Sequence, residues 1–117
     1  FVEHHRAAAD LIDANRDALG AQDRVVLIRR SAAHAVARLA AEGQVFDIAW
    51  SDPPFESWKD GLEVLVSAFR LEILSPSGAA CFECPEHADV AGALPDGIEI
   101  VRDLAGGASR VVVLKKA

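Results

Sequence analysis

The sequence predicts an α/β fold whose sheet is mostly parallel and closes with an antiparallel hairpin. Three observations predict it. Short apolar runs at 24–28, 45–50 and 79–84 alternate with helical segments, the order that strand–helix–strand units produce. Those runs are continuous rather than alternating, as in strands covered on both faces. The last third changes character: two β-rich runs, 98–102 and 109–114, flank Gly106-Gly107, a hairpin signal.

Taken in order, Phe1-Val2-Glu3 reads as the tail of a strand. Residues 6–19 read as a helix with Ala8, Leu11, Ile12 and Leu19 on one face, and Gly20 is placed to end it. Arg24 to Ile28 reads as a strand buried on both faces. Ala32 to Glu42 is Ala-rich and helical, with Ser31 as its cap and Gly43 as its stop. Val45 to Trp50 is the next buried strand. It stops before Pro53-Pro54, which cannot continue a ladder. Leu62, Leu65, Val66 and Phe69 mark a helical face, and Ser75-Pro76-Ser77-Gly78 is a turn signal. A fourth strand follows at 79–84. In open α/β sheets ligands gather at the C-terminal ends of the strands. Here those ends carry Glu3, Ser31, Asp52 and Glu83, which are expected on one rim.

Bulk properties narrow the function. A chain of 117 residues holds one domain, and 51% apolar residues suffice for a real core. No apolar run reaches the roughly 18–20 residues of a membrane helix, and no signal peptide opens the chain. Twelve basic against eighteen acidic residues leave a net charge of −6, the opposite of a surface built to grip nucleic acid unaided. Two cysteines make no disulfide framework, so a reducing cytoplasm is expected. His4, His5, Cys81, Cys84 and His87 raise the question of a metal. Cys81-x-x-Cys84 has zinc spacing, but residues three apart on a strand face opposite ways, and no second close pair follows. Two small buried thiols are the expected reading, with no metal.

Asp52-Pro53-Pro54-Phe55 carries the most chemistry. An aromatic amino group is a poor nucleophile because its lone pair is delocalised into the ring. Accepting both of its N–H hydrogens draws the nitrogen toward tetrahedral geometry and frees the lone pair for an incoming electrophile. A carboxylate and a backbone carbonyl suit that task. Pro53 has no competing N–H, and Phe55 offers a face on which an extruded base can stack, worth ~1–3 kcal/mol. The plain alternative is a Pro-Pro turn that ends a strand, with Asp52 in solvent. Glu3, at a strand end, is placed to accept from ribose hydroxyls, or is a surface carboxylate. His4 can pack on an adenine or lie exposed. Ser31 can read an adenine edge or simply cap its helix. Arg29, Arg30, Arg38, Lys59 and Arg110 can contact phosphate or be solvated charges, and Arg29, Arg30 and Lys59 are the best placed.

These blocks together resemble a known family. Phe1-Val2-Glu3 with Arg6-Ala7-Ala8, Phe46-Asp47-Ile48 leading to Asp52-Pro53-Pro54-Phe55, Leu74-Ser75-Pro76-Ser77-Gly78, Phe82-Glu83 and Leu94-Pro95-Asp96-Gly97 are similar to the bacterial 16S rRNA (guanine(966)-N2) methyltransferases. The resemblance spans essentially the whole chain. It implies a Rossmann-like class I methyltransferase sheet in a single domain over 1–117, dependent on S-adenosylmethionine (SAM). Glu3 would hold the SAM ribose, with His4, Ser31 and Ala32 around the adenine. Asp52 would border the cofactor and, with the Pro53 carbonyl, hold the guanine amine. Pro54 would shape the loop and Phe55 would stack on the base. The implied partner is 16S rRNA or the assembled small ribosomal subunit, and the implied protein is a cytoplasmic monomer without metal or membrane. The sequence departs from the family in having Ser at position 31, where Asp or Asn is usual. It also lacks a first strand and Gly-rich loop before Glu3, so the resemblance implies a partial domain. Other amino-directed methyltransferases, acting on DNA adenine or protein glutamine, share the DPPF motif. A non-catalytic methyltransferase-like module is the remaining alternative.

Overall fold

Four strands form the sheet. The computed structural model describes residues 1–117, and its elements run α1 (Arg6–Ala18), α2 (Ala32–Ala41), β1 (Phe46–Ser51), a 3-10 turn (Phe55–Ser57), α3 (Trp58–Arg70), β2 (Leu74–Pro85), α4 (Val90–Ala93), β3 (Ile98–Gly106) and β4 (Ser109–Lys116). The spatial order is β1-β2-β4-β3. β1 pairs with β2 in parallel; β4 pairs antiparallel with both β2 and β3. The α/β class and the closing hairpin are as the sequence predicts.

α3 organises the core. Leu62, Leu65, Val66 and Phe69 are all buried, and they meet Phe82, Ala80, Val112 and Leu114 in one cluster. Each such side chain contributes roughly 1.5–3 kcal/mol on leaving water. β2 alternates buried Ala80, Phe82 and Cys84 with half-buried Ala79, Cys81 and Glu83. One face of the sheet therefore carries α3, and the other is only partly covered. Cys81 and Cys84 lie on opposite faces, as expected of that spacing, and both are free thiols. The hairpin turns through Gly107, whose φ of +73° suits glycine. The helix punctuation also holds. Gly20 and Gly43 follow α1 and α2 with φ of +60° and +68°, and Ser31 Oγ accepts from the His34 amide at 3.3 Å, a side-chain cap on α2.

Four expectations are corrected. The run 24–28 is no doubly buried strand. It makes a single parallel bridge, Ile28 with Val2, and Val26 is 72% exposed. β1 is a strand but not a buried one, because it sits at the end of the sheet order with one edge unpaired; Phe46, Ile48 and Trp50 are exposed. In α1 the buried residue is Ala9, whereas Leu11 and Leu19 point to solvent. With nothing packed on their side, the apolar period has no partner to bury against. Finally, Ser75-Pro76-Ser77-Gly78 lies inside β2. Leu74 pairs with Phe46 and Ala79 with Ile48, so five residues on β2 span two on β1, and the Pro and Gly serve a bulge. The approach is tight there: a Cβ on Gly78 would come 3.1 Å from the Asp47 carbonyl.

Candidate active site

A cleft of about 1320 Å³ opens between the Phe1–Glu3 segment with its Ile28 bridge, the start of α2 and the C-terminal end of β1. Its volume exceeds the roughly 300–1,000 Å³ of ordinary small-molecule pockets. Glu3, His4, Ser31, Ala32, Asp52, Pro53 and Pro54 all line it. Residues as far apart in sequence as Glu3 and Pro54 thus face one space.

Two expected members stand apart from its lining. Phe55 begins the 3-10 turn beside the cleft, with its ring 43% exposed. Glu83 stands beside Asp52 by the β1–β2 register, in which Ser51 pairs with Phe82, but it is outside the lining, and its carboxylate accepts from the Ser109 hydroxyl at 3.3 Å across to β4. Three of the four expected segment ends therefore line the cleft, while β2 continues three residues past Phe82, the last partner of β1, to Pro85 in its pairing with β4.

The loop after β1 is held from several directions. Ser51 Oγ donates to the Gly61 carbonyl at 3.4 Å. The Pro53 ring lies directly on Gly61 of α3, where an added Cβ would come 2.4 Å from Pro53 Cγ. The Pro54 carbonyl accepts from both the Ser57 amide, at 3.0 Å, and the Ser57 hydroxyl, at 3.3 Å. By contrast the Pro53 carbonyl accepts nothing from the protein, and the exposed Asp52 carboxylate makes no ion pair. The fixed loop therefore presents two open acceptors side by side in sequence. Gly61 and Ser57 escape the sequence reading. A glycine in the first turns of a strongly amphipathic helix costs about 0.8–1.0 kcal/mol relative to alanine, and that cost was the available signal.

Elsewhere in the cleft, Glu3 is half-buried and its Oε1 accepts from the His5 amide at 2.9 Å, which orients the carboxylate and leaves its second oxygen free. The Ser31 hydroxyl is occupied as the α2 cap, though its donor hydrogen remains available. His4 and His5 lie with ring centroids 5.3 Å apart. A nucleoside fits these residues: a carboxylate for ribose hydroxyls, a hydroxyl donor and the Ala32 backbone for a base edge, and an imidazole beside them.

The basic residues divide. Arg29 is not free for phosphate. It pairs with Asp10 at 2.9 Å and with Asp13, tying the 24–30 segment to α1, and the hydrogen bonds it donates, that to Asp13 first, raise its pKa. Arg38 pairs with Glu42 at 2.8 Å, and Arg110 with Asp103 at 3.4 Å. Arg30 lines the cleft and enters no ion pair, and Lys59 sits 5.6 Å over the Trp58 ring next to the loop. No three His, Cys, Asp or Glu side chains gather in one place, and no helix is long and apolar enough to cross a membrane.

Residues 1–115 match the model of the family described as conserved hypothetical protein 95. The chain belongs to this family. Its fold also matches solved structures. A conserved hypothetical protein of Streptococcus pyogenes superposes with a TM-score of 0.82 at 23% identity, over 99% of this chain and 69% of that one. A Haemophilus influenzae protein proposed to be a methylase gives 0.78 at 16% identity, over 99% and 70%. A SAM-dependent methyltransferase of Agrobacterium tumefaciens gives 0.64 at 16% identity, over 98% and 47%. The fold is therefore methyltransferase-like, and the chain spans about half to two thirds of these structures. No protein of curated function matches its sequence significantly.

Proposed function

We propose that this chain carries the reacting site of a SAM-dependent methyltransferase that methylates the exocyclic N2 amine of a guanine in 16S rRNA. The observation that carries the reading is the pair of open acceptors, the Asp52 carboxylate and the Pro53 carbonyl, in a cleft shared with Glu3, Ser31 and Ala32. SAM supplies an electrophilic methyl group on a sulfonium. Glu3 holds the ribose hydroxyls, and Ser31, Ala32 and His4 surround the adenine. Asp52 and the Pro53 carbonyl each accept one N–H of the guanine amine, which localises the nitrogen lone pair toward the methyl group. The amine nitrogen would take the methyl group from the sulfonium, which would leave as a thioether, and Asp52, hydrogen-bonded to the amine, would take the proton that the nitrogen loses. Phe55, exposed beside the loop, stacks on the extruded base, while Arg30 and Lys59 stand where a phosphate backbone would pass.

The choice of rRNA guanine rests on the sequence blocks that accompany the motif. Labelled SAM offered to small ribosomal subunits, naked 16S rRNA, DNA and protein tests it. Label should enter the ribosomal RNA on a guanine. Label confined to DNA or protein would replace this substrate with another amino group, and label in none of them would favour a non-catalytic module.

A further inference from the structure

We propose that Gly61 is a positioning residue for the methyl-transfer loop, an inference that rests on the function proposed above. Asp52 lies between two residues that are each anchored on Gly61. On one side the Ser51 hydroxyl donates to its carbonyl at 3.4 Å. On the other, the Pro53 ring occupies the place a side chain would need, with Cγ, Cβ and Cδ at 2.4, 2.8 and 3.0 Å from an ideal Cβ. These three ring atoms belong to one stiff side chain that cannot swing away, so the loop backbone itself would have to move. Gly61 is buried, and its φ is not positive. The backbone geometry there therefore places no demand for glycine; the demand comes from the proline ring alone. Helix propensity opposes glycine at this position, and a local rule broken in this way is characteristic of a functional site. The two anchors fix the direction of the Asp52 carboxylate and of the unengaged Pro53 carbonyl, the two acceptors that hold the substrate amine. α3 is in turn fixed by the core, since Leu62 and Leu65, on either side of the next turn, are buried against the sheet. The loop thus takes its position from the helix that packs into the twelve-residue core.

The test is Gly61→Ala in the intact protein, alongside Pro53→Gly, the double variant and Asp52→Ala. Displacement of the loop by about an ångström lowers kcat by ~10- to 100-fold, while KM for SAM stays within about twofold because Glu3 and Ser31 do not touch Gly61. The amide resonances of Asp52 and Phe55 shift in Gly61→Ala, and those of Phe82 and Leu114 do not. Pro53→Gly removes all three atoms that collide, Cβ included, so the double variant should be no slower than Pro53→Gly alone. A Gly61→Ala protein that keeps wild-type kcat and wild-type Asp52 and Phe55 resonances overturns the inference. If Gly61→Ala does not fold, restoration of folding by Pro53→Gly supports the same contact, and failure to restore it overturns the inference. Asp52→Ala separates the two claims. If it remains active, the proposed reaction site falls whatever Gly61 does; if it is inactive while Gly61→Ala is normal, only the positioning role falls.

Discussion

Residues 58–116 and residues 1–50 are built from similar amounts of apolar sequence, yet they behave differently in the fold. The twelve-residue core lies wholly between Leu62 and Leu114. Nine of the thirteen exposed large hydrophobics fall at or before Trp50: Phe1, Val2, Leu11, Leu19, Val26, Val45, Phe46, Ile48 and Trp50. The difference lies in partners rather than composition. β2 is flanked by strands on both edges and by α3 on one face, whereas β1 and the Val2–Ile28 bridge each leave an edge unpaired beside the cleft. The candidate site lies along the boundary of these two regions. Its loop is anchored on the well-packed side, and the residues that line the cleft opposite, Glu3, His4, Ser31 and Ala32, belong to the sparsely packed side.

That comparison can be broken most sharply by substitution. Phe82→Ala removes a ring with 0% exposure at the centre of the core and should cost about 3–5 kcal/mol, read as a lower urea midpoint. Ile48→Ala, on the exposed strand, should stay within about 0.5 kcal/mol. Equal losses at the two positions would erase the distinction. Hydrogen exchange sharpens it further. Amides of β2 and β4 should exchange only on global unfolding, and those of Glu3 and Ile28, which bond across the single bridge, should exchange orders of magnitude sooner through local opening. Arg29→Met, which cuts the ties to Asp10 and Asp13, should speed exchange in α1 and leave β4 unchanged.

The smallest effect concerns the two thiols. Burial pushes the Cys84 pKa up, so folding favours its protonated form. That contribution is complete below the unfolded thiol's pKa and is lost as pH rises through the higher folded value. Iodoacetamide at mildly alkaline pH should therefore label half-buried Cys81 well before Cys84. Equal rates would mean that the β2 core opens as readily as the exposed sheet face.

The same contrast explains what could be read from the sequence. The face of α3, the hairpin at Gly106-Gly107 and the caps at Ser31, Gly20 and Gly43 were legible because each depends on local period or on a single residue's conformational range. The burial of 24–28, of β1 and of Leu11 was misjudged, because an apolar run records a capacity to be buried and not the presence of a neighbour. Ser75-Pro76-Ser77-Gly78 has turn chemistry, yet pairing on both sides draws it into β2 as a bulge. Most of the site was visible: Glu3, His4, Ser31, Ala32, Asp52, Pro53 and Pro54 do converge. Glu83 stays out of the cleft lining because its carboxylate turns to Ser109 on β4, and Gly61 went unseen because its contact arises only when Pro53 folds onto it.

The central claim, that the Asp52 loop holds the reacting amine, is tested most directly by Asp52→Ala in the intact protein, with SAM affinity and single-turnover methyl transfer to small ribosomal subunits measured side by side. Loss of one preorganised hydrogen-bonding group at a reacting centre costs on the order of 10²–10³ in rate. The account predicts a fall of that size with SAM affinity within about twofold of wild type. Transfer at the wild-type rate would contradict it.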